Sequence, residues 1–146
     1  MKEFFMDEAL EEARKALYIK EVPVGAVIVR NNEIVARAHN LKETLKDPTA
    51  HAEILAIKRA CESLNKWRLT SCEMYVTLEP CAMCASAIAQ ARVNRLYIGT
   101  FDPTAGACGS VINVLENPNL NYNIQLDWMY NTECSKLLKE FFMAKR

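Results

Sequence analysis

The 146-residue chain has no net charge, with 18 Lys and Arg set against 18 Asp and Glu. That balance, at a charged fraction of 25%, excludes a polycation and a disordered chain. It also leaves no electrostatic footprint of a nucleic-acid binder. No apolar run approaches the roughly 18 residues that a membrane span needs. The opening residues, Met1-Lys2-Glu3-Phe4-Phe5-Met6-Asp7-Glu8, turn acidic at once and lack the apolar core of a secretory signal. No fixed-period repeat, low-complexity tract or linker interrupts the sequence. These absences lead to the expectation of one soluble, cytoplasmic domain over residues 1–146, with no membrane partner. At 51% hydrophobic residues, such a chain can bury a core of its own.

Histidine and glycine are scarce, at two and four residues, whereas cysteine reaches six. Without a secretion signal, cysteines in that number read as reduced thiols or metal ligands and not as a disulfide framework.

Residues 3–19 set Phe5, Ala9, Ala13, Ala16 and Leu17 on one helical stripe. Pro23 closes that segment. Two β-branched runs, 24–30 and 34–38, flank Asn31-Asn32 and predict a hairpin. A polar stretch, 40–50, ends in Asp47-Pro48-Thr49-Ala50 and leads into a helix to about residue 64. Residues 74–78 read as a buried strand, and Pro80 fits the first turn of an Ala-rich helix over 81–91. A strand at 93–98, a loop at 99–110, a short helix near 110–116, a strand at 124–128 and a helix from about 132 follow. This order predicts an α/β fold, a three-layer α/β/α sandwich around a mixed five-stranded sheet. The hairpin is expected antiparallel and the later strands parallel.

Chemistry concentrates in His51-Ala52-Glu53 and Pro80-Cys81-Ala82-Met83-Cys84. Cys81 and Cys84 are close enough around a helix to chelate one ion, and a helix N-terminus suits thiolates. With His51 they form a soft donor set suited to zinc. His51 and Glu53 share a pocket only if His51 lies at the helix entrance, because residues two apart on a regular helix point about 200° from each other. Three ligands and one open position would leave room for a water whose pKa zinc lowers to roughly 7, with a non-ligand carboxylate to move its proton. The competing readings are two buried thiols in a helix, or a closed structural site with Cys61, Cys72, Cys108 or Cys134 as fourth ligand. His39 reads as a strand-end residue and not as a ligand.

The pattern H-x-E…P-C-x-x-C is the signature of the zinc deaminases. More closely, the chain resembles the bacterial tRNA-specific adenosine deaminases, with the cytidine deaminase-like fold of that superfamily. The resemblance runs nearly end to end, through Glu21 to Ala26, Asp47 to Glu53, Tyr75 to Cys84, Gly106 to Ser110 and the terminal Phe141-Phe142. It implies one Zn2+ per subunit, held by His51, Cys81 and Cys84. It further implies zinc-activated hydroxide attacking C6 of a flipped-out adenine, with Glu53 as proton shuttle, giving inosine and ammonia. By the same resemblance Asn40 binds the purine and Val24 lines the pocket. Asp102, Phe141 and Phe142 match positions that meet flanking nucleotides. The expected partners are a tRNA anticodon stem-loop, read at its wobble adenosine, and a second copy of the chain in a homodimer. Leu41-Lys42 depart from the family, which often carries arginine after Asn40; Ser86 and the bulky Asp127 to Tyr130 depart as well.

Two other functions use the same residues. One is a small-molecule nucleobase or nucleoside deaminase, and the other is a zinc-stabilised binding module without catalysis. Against the first stands the combination of Asp47 to Ala50, Gly106 to Ser110 and a terminal Phe-Phe, which suits an extended strand. Charge by segment refines the opening exclusion. Residues 51–100 hold six basic and four acidic side chains, and no basic residue lies between Arg95 and Lys136. The loop around Asp102 therefore offers no phosphate clamp, and specificity for RNA must come from the pocket.

Overall fold

In the computed structural model, which describes residues 1–145, five strands form one sheet with helices on both faces. Helix α1 (Lys2–Tyr18) leads into strands β1 (Gly25–Arg30) and β2 (Glu33–His39). Asn31 and Asn32, which join them, take left-handed φ values of 52° and 61°. A two-residue type I′ hairpin needs that conformation at both positions, and asparagine tolerates it. Next come α2 (Lys42–Leu45), α3 (Ala52–Leu64), β3 (Cys72–Val76), α4 (Ala82–Gln90), β4 (Arg95–Ile98), β5 (Gln125–Trp128) and α5 (Thr132–Ala144). Asn65, with φ 53°, closes α3, and the Asn131 side chain caps α5 by accepting the Glu133 and Cys134 N–H groups.

The strand order is β2-β1-β3-β4-β5. β1 runs antiparallel to both β2 and β3, and β3, β4 and β5 run parallel. The expected mixed sheet, antiparallel hairpin and parallel later strands are therefore all present. Side chains alternate between two cores, as the two-residue period of a strand requires. Ile28, Met74, Val76, Leu96 and Ile98 join Ala52, Ala56 and Ala60 of α3 with Ala85, Ile88 and Ala89 of α4. Val27, Val29, Tyr75 and Tyr97 join α1 and α5 on the other face. Ala85 and Ala89 of α4 thus belong to the chain's own core, while Ala82 is exposed.

Gly25 marks where α1 presses closest to that sheet. A Cβ there would lie 2.1 Å from the Ala9 carbonyl oxygen and 2.5 Å from the Ala13 nitrogen, both backbone atoms of α1. The helix would have to move. Gly25→Ala is expected to cost about 3 kcal/mol, the upper end of ordinary overpacking penalties. Urea unfolding midpoints of the two chains measure it.

The structure differs from the sequence reading at several elements: α2 forms within the polar stretch 40–50, β3 starts two residues earlier than expected and β4 two residues later. Residues 110–116 form no helix. The chain doubles back through a Cys108–Asn113 bridge, with Gly109 at φ 132° and the Val111 and Ile112 N–H groups both donating to the Gly106 carbonyl. Helix α4 begins at Ala82, so Pro80 precedes its cap and does not occupy its first turn. β3 ends at Val76, although the Thr77 N–H still donates to the Gly25 carbonyl at the start of β1; beyond it the Glu79 N–H donates to the Thr100 carbonyl, past the end of β4. Among the described residues no helix is long and apolar enough to cross a membrane.

Candidate active site

His51 enters the site from a turn wound before α3 begins. Asp47 Oδ1 accepts the Thr49 N–H and hydroxyl, and the Asp47 carbonyl accepts the Ala50 N–H. His51 is then the N-cap, extended at φ −77° and ψ 154°. This irregular entrance lets His51 and Glu53 reach one pocket. Cys81 holds the equivalent place before α4, at φ −74° and ψ 177°, and Cys84 follows in the first turn. Two helix N-termini converge on the site, and the positive ends of their dipoles favour thiolates there.

His51 Nδ1 lies 3.7 Å from Cys81 Sγ and 3.5 Å from Cys84 Sγ. A tetrahedral zinc with ordinary bond lengths would separate such atoms by about 3.6 Å. Among the described residues these three form the one group of His, Cys, Asp and Glu ligand atoms lying within 4.8 Å of one another. The donors present therefore fit a metal ion. Cys61, Cys72, Cys108 and Cys134 stand outside that group, so the closed four-ligand alternative is not built. His39 stands outside it too, pairing through Nδ1 with Glu12 at 2.9 Å.

The Cys81 thiol is drawn down to about 4 by a hydrogen bond from Cys84, against its own burial, with help from His51 and the Cys84 N–H. Cys84 moves the other way, because its proton is shared with Cys81 and it is buried next to Glu53. The hydrogen bond to Cys81 raises the His51 pKa, burial opposing. Glu53 is 4% exposed, and its carboxyl is pushed up to about 7, chiefly by burial and then by the negative Cys81. It stands beside the three donors without belonging to their group.

A cavity of about 180 Å³ opens on His51, Glu53 and Cys81 and is lined also by Val24, Asn40, Lys42, Glu79 and Asp102. Three of the residues matched to substrate contact thus share one wall system. Asn40 Oδ1 accepts the Lys42 N–H and its Nδ2 donates to the Val22 carbonyl, which fixes the amide and leaves one N–H to give. Asp102 Oδ1 accepts from the Thr104 N–H and hydroxyl and from the Ala105 N–H. Phe141 and Phe142 are not part of this lining. Phe141 is buried in α5 while Phe142 is 51% exposed, as adjacent helical positions must diverge.

Two buried glutamates escaped the sequence reading. Glu79 lines the cavity directly, and Glu21 accepts the Glu43 N–H together with the Thr44 N–H and hydroxyl, tying α2 beside Asn40. The signal available was an acid within two residues of a proline, Glu79-Pro80 and Glu21-Val22-Pro23. Burial alone would raise the Glu21 carboxyl, but the Thr44 and Glu43 donors outweigh it and hold it below the usual carboxylate range. A carboxyl depressed in the folded state stabilises above its unfolded pKa, and that stability is lost as pH falls through the folded value. The stability gap between the native chain and Glu21→Gln is therefore expected to be widest at pH 7 and to shrink below about pH 4. Urea unfolding across pH 3–7 reads it.

The fold and the His/Cys/Cys group define a class. A family model described as MafB19-like deaminase matches residues 2–146, and the chain is a deaminase by that measure. The chain is 48% identical over 145 residues to a tRNA-specific adenosine deaminase of Aquifex aeolicus, covering 99% of this chain and 96% of the relative. It is 46% identical to that of Bacillus subtilis, covering 99% and 90%. A solved structure from work on A-to-I editing by tRNA:A34 deaminases at the wobble position superimposes with a TM-score of 0.89 at 43% identity, covering 92% and 99%. The chain belongs to the tRNA-specific adenosine deaminase family.

Proposed function

We propose that this chain is a zinc-dependent hydrolase that converts adenosine to inosine at the wobble position of a tRNA anticodon, acting in the cytoplasm as a homodimer. The observation that carries the reading is a buried carboxylate, Glu53, beside a three-donor group spaced for zinc at the floor of a small cavity. His51, Cys81 and Cys84 would hold the ion, which when bound supplies a water nucleophile at neutral pH. Glu53 moves the protons. Its carboxylate takes one proton from the attacking water and delivers it to the ring nitrogen next to C6. It then takes the remaining proton from the C6 hydroxyl of the adduct and passes it to the amine, which leaves as ammonia as the C6 carbonyl forms. A carboxyl close to neutrality suits both directions of transfer.

Asn40 has one N–H left to give and offers it to the purine, while Val24 packs on the ring. A cavity of about 180 Å³ suits one base extruded from its stack. Asp102 meets a neighbouring nucleotide. Stacking on a flanking base falls to Phe142, because Phe141 is buried and anchors α5.

Incubating the zinc-loaded chain with an anticodon stem-loop bearing a wobble adenosine is expected to produce A-to-G changes on reverse transcription. Guanine and cytidine assayed in parallel are expected to stay intact. Turnover of a free base with none on the stem-loop would overturn the reading.

A further inference from the structure

Glu79 is 2% exposed, and its carboxylate is surrounded by donors from a single segment of the chain. Oε1 accepts the Asp102 N–H at 2.9 Å and the Ser110 hydroxyl. Oε2 accepts the Cys108 N–H at 2.9 Å and the Ser110 N–H at 3.1 Å. Two further backbone bonds fasten the same segment, from the Glu79 N–H to the Thr100 carbonyl and from the Ala107 N–H to the Pro80 carbonyl. Gly106 makes room for this wrapping, since a Cβ there would lie 2.4 Å from the Glu79 carboxyl carbon.

This segment has no helix or strand of its own to hold its shape. It also contains no basic residue that could neutralise the buried charge. The carboxylate is instead compensated by backbone amides and one hydroxyl. The segment therefore cannot move away without leaving a buried charge unpaired, which is costly. Glu79 stands two residues before Cys81, and Asp102 and Ala105 of the tethered segment line the cavity above Glu53. One side chain thus couples the turn carrying the sulfur donors to the wall facing the substrate.

We propose that Glu79 is a positioning residue for the RNA substrate. It presets the segment 100–110, and with it Asp102, so that the wall meeting the nucleotide next to the target base is ordered before RNA arrives. The proposal rests on the reading of Asp102 as an RNA contact. Ordering in advance lowers the cost of binding and leaves the proton transfers to Glu53 unchanged. Its loss falls on KM and spares kcat.

In Glu79→Gln an amide nitrogen replaces an oxygen and points N–H groups at N–H donors. The expected result is a KM for the anticodon stem-loop raised about tenfold, with kcat within about threefold of the native value and metal content unchanged. Ser110→Ala removes one donor and keeps the backbone, so it should shift KM in the same direction by about threefold; it decides the matter if Glu79→Gln does not fold. A double-mutant cycle with Asp102→Ala separates positioning from mere structural support. If Glu79 acts through Asp102, the combined KM effect equals the larger single effect and not their product. Native KM in both Glu79→Gln and Ser110→Ala, a fall in kcat at unchanged KM, or multiplying effects in the cycle would overturn the proposal. A native KM in Asp102→Ala would remove the reading of Asp102 and this proposal together. Editing of the wobble adenosine by the native chain tests the proposed function independently of either.

Discussion

Glu53→Ala is expected to retain its metal while losing turnover by about 10⁴-fold, the upper range for removing a general acid–base group. The side chain lies beside the His51, Cys81 and Cys84 group and is not one of its members. Its deletion therefore leaves the donor set complete. Without it no carboxylate near neutrality remains to take a proton and return it to the ring and the amine. Glu53→Gln, which keeps the shape and cannot ionise, is expected to fail to the same degree. Single-turnover editing of the stem-loop, with metal content measured on the same samples, reads both quantities. Turnover within tenfold of the native chain would disprove the assigned role, whereas loss of the metal would make Glu53 a ligand.

Cys84→Ala is expected to reverse that pattern, losing metal, activity and stability together. Removing one of three donors leaves two, and the alanine cannot donate the hydrogen bond that sets Cys81 and Cys84 apart. An ion that binds only the folded state stabilises it by mass action, so the melting temperature should fall and stop responding to added zinc. Native chain stripped with a chelator should recover activity on zinc addition, and Cys84→Ala should not. Cys108→Ala is the control: this thiol is also buried but lies outside the donor group, and its loss should leave metal content unchanged. Equal metal content in Cys84→Ala and the native chain would refute the assignment.

Much of the fold was legible because its signals are local. Asn31-Asn32 between two β-branched runs specified a hairpin through backbone conformation alone, and the left-handed φ values realise it. The helical stripe of Phe5, Ala9, Ala13 and Ala16 became the buried face of α1. The segment 110–116 defeated the same approach. Its shape depends on Gly106, Gly109 and a bridge from Cys108 to Asn113, and its tether to Glu79 spans about 30 residues of sequence. Helical periodicity carries no information about such contacts.

The candidate site divides in the same way. Residue identity singled out the candidate donors, since scarce histidine and paired cysteines at fixed spacing narrow the chemistry before any fold is known. Charge balance likewise leads to the expectation that RNA specificity comes from the pocket and not from a basic surface. Tertiary packing was needed to bring His51 Nδ1 within 3.7 Å of both sulfurs from a different helix, and to exclude the other four cysteines. It alone separated Phe141 from Phe142, one buried and one exposed. It also turned Glu21 and Glu79, ordinary acids by sequence, into buried anchors for the segments around the cavity. Ligand type is a property of single residues. Burial and hydrogen-bond compensation belong to the assembled chain, because the groups that compensate a carboxylate come from wherever the fold carries them.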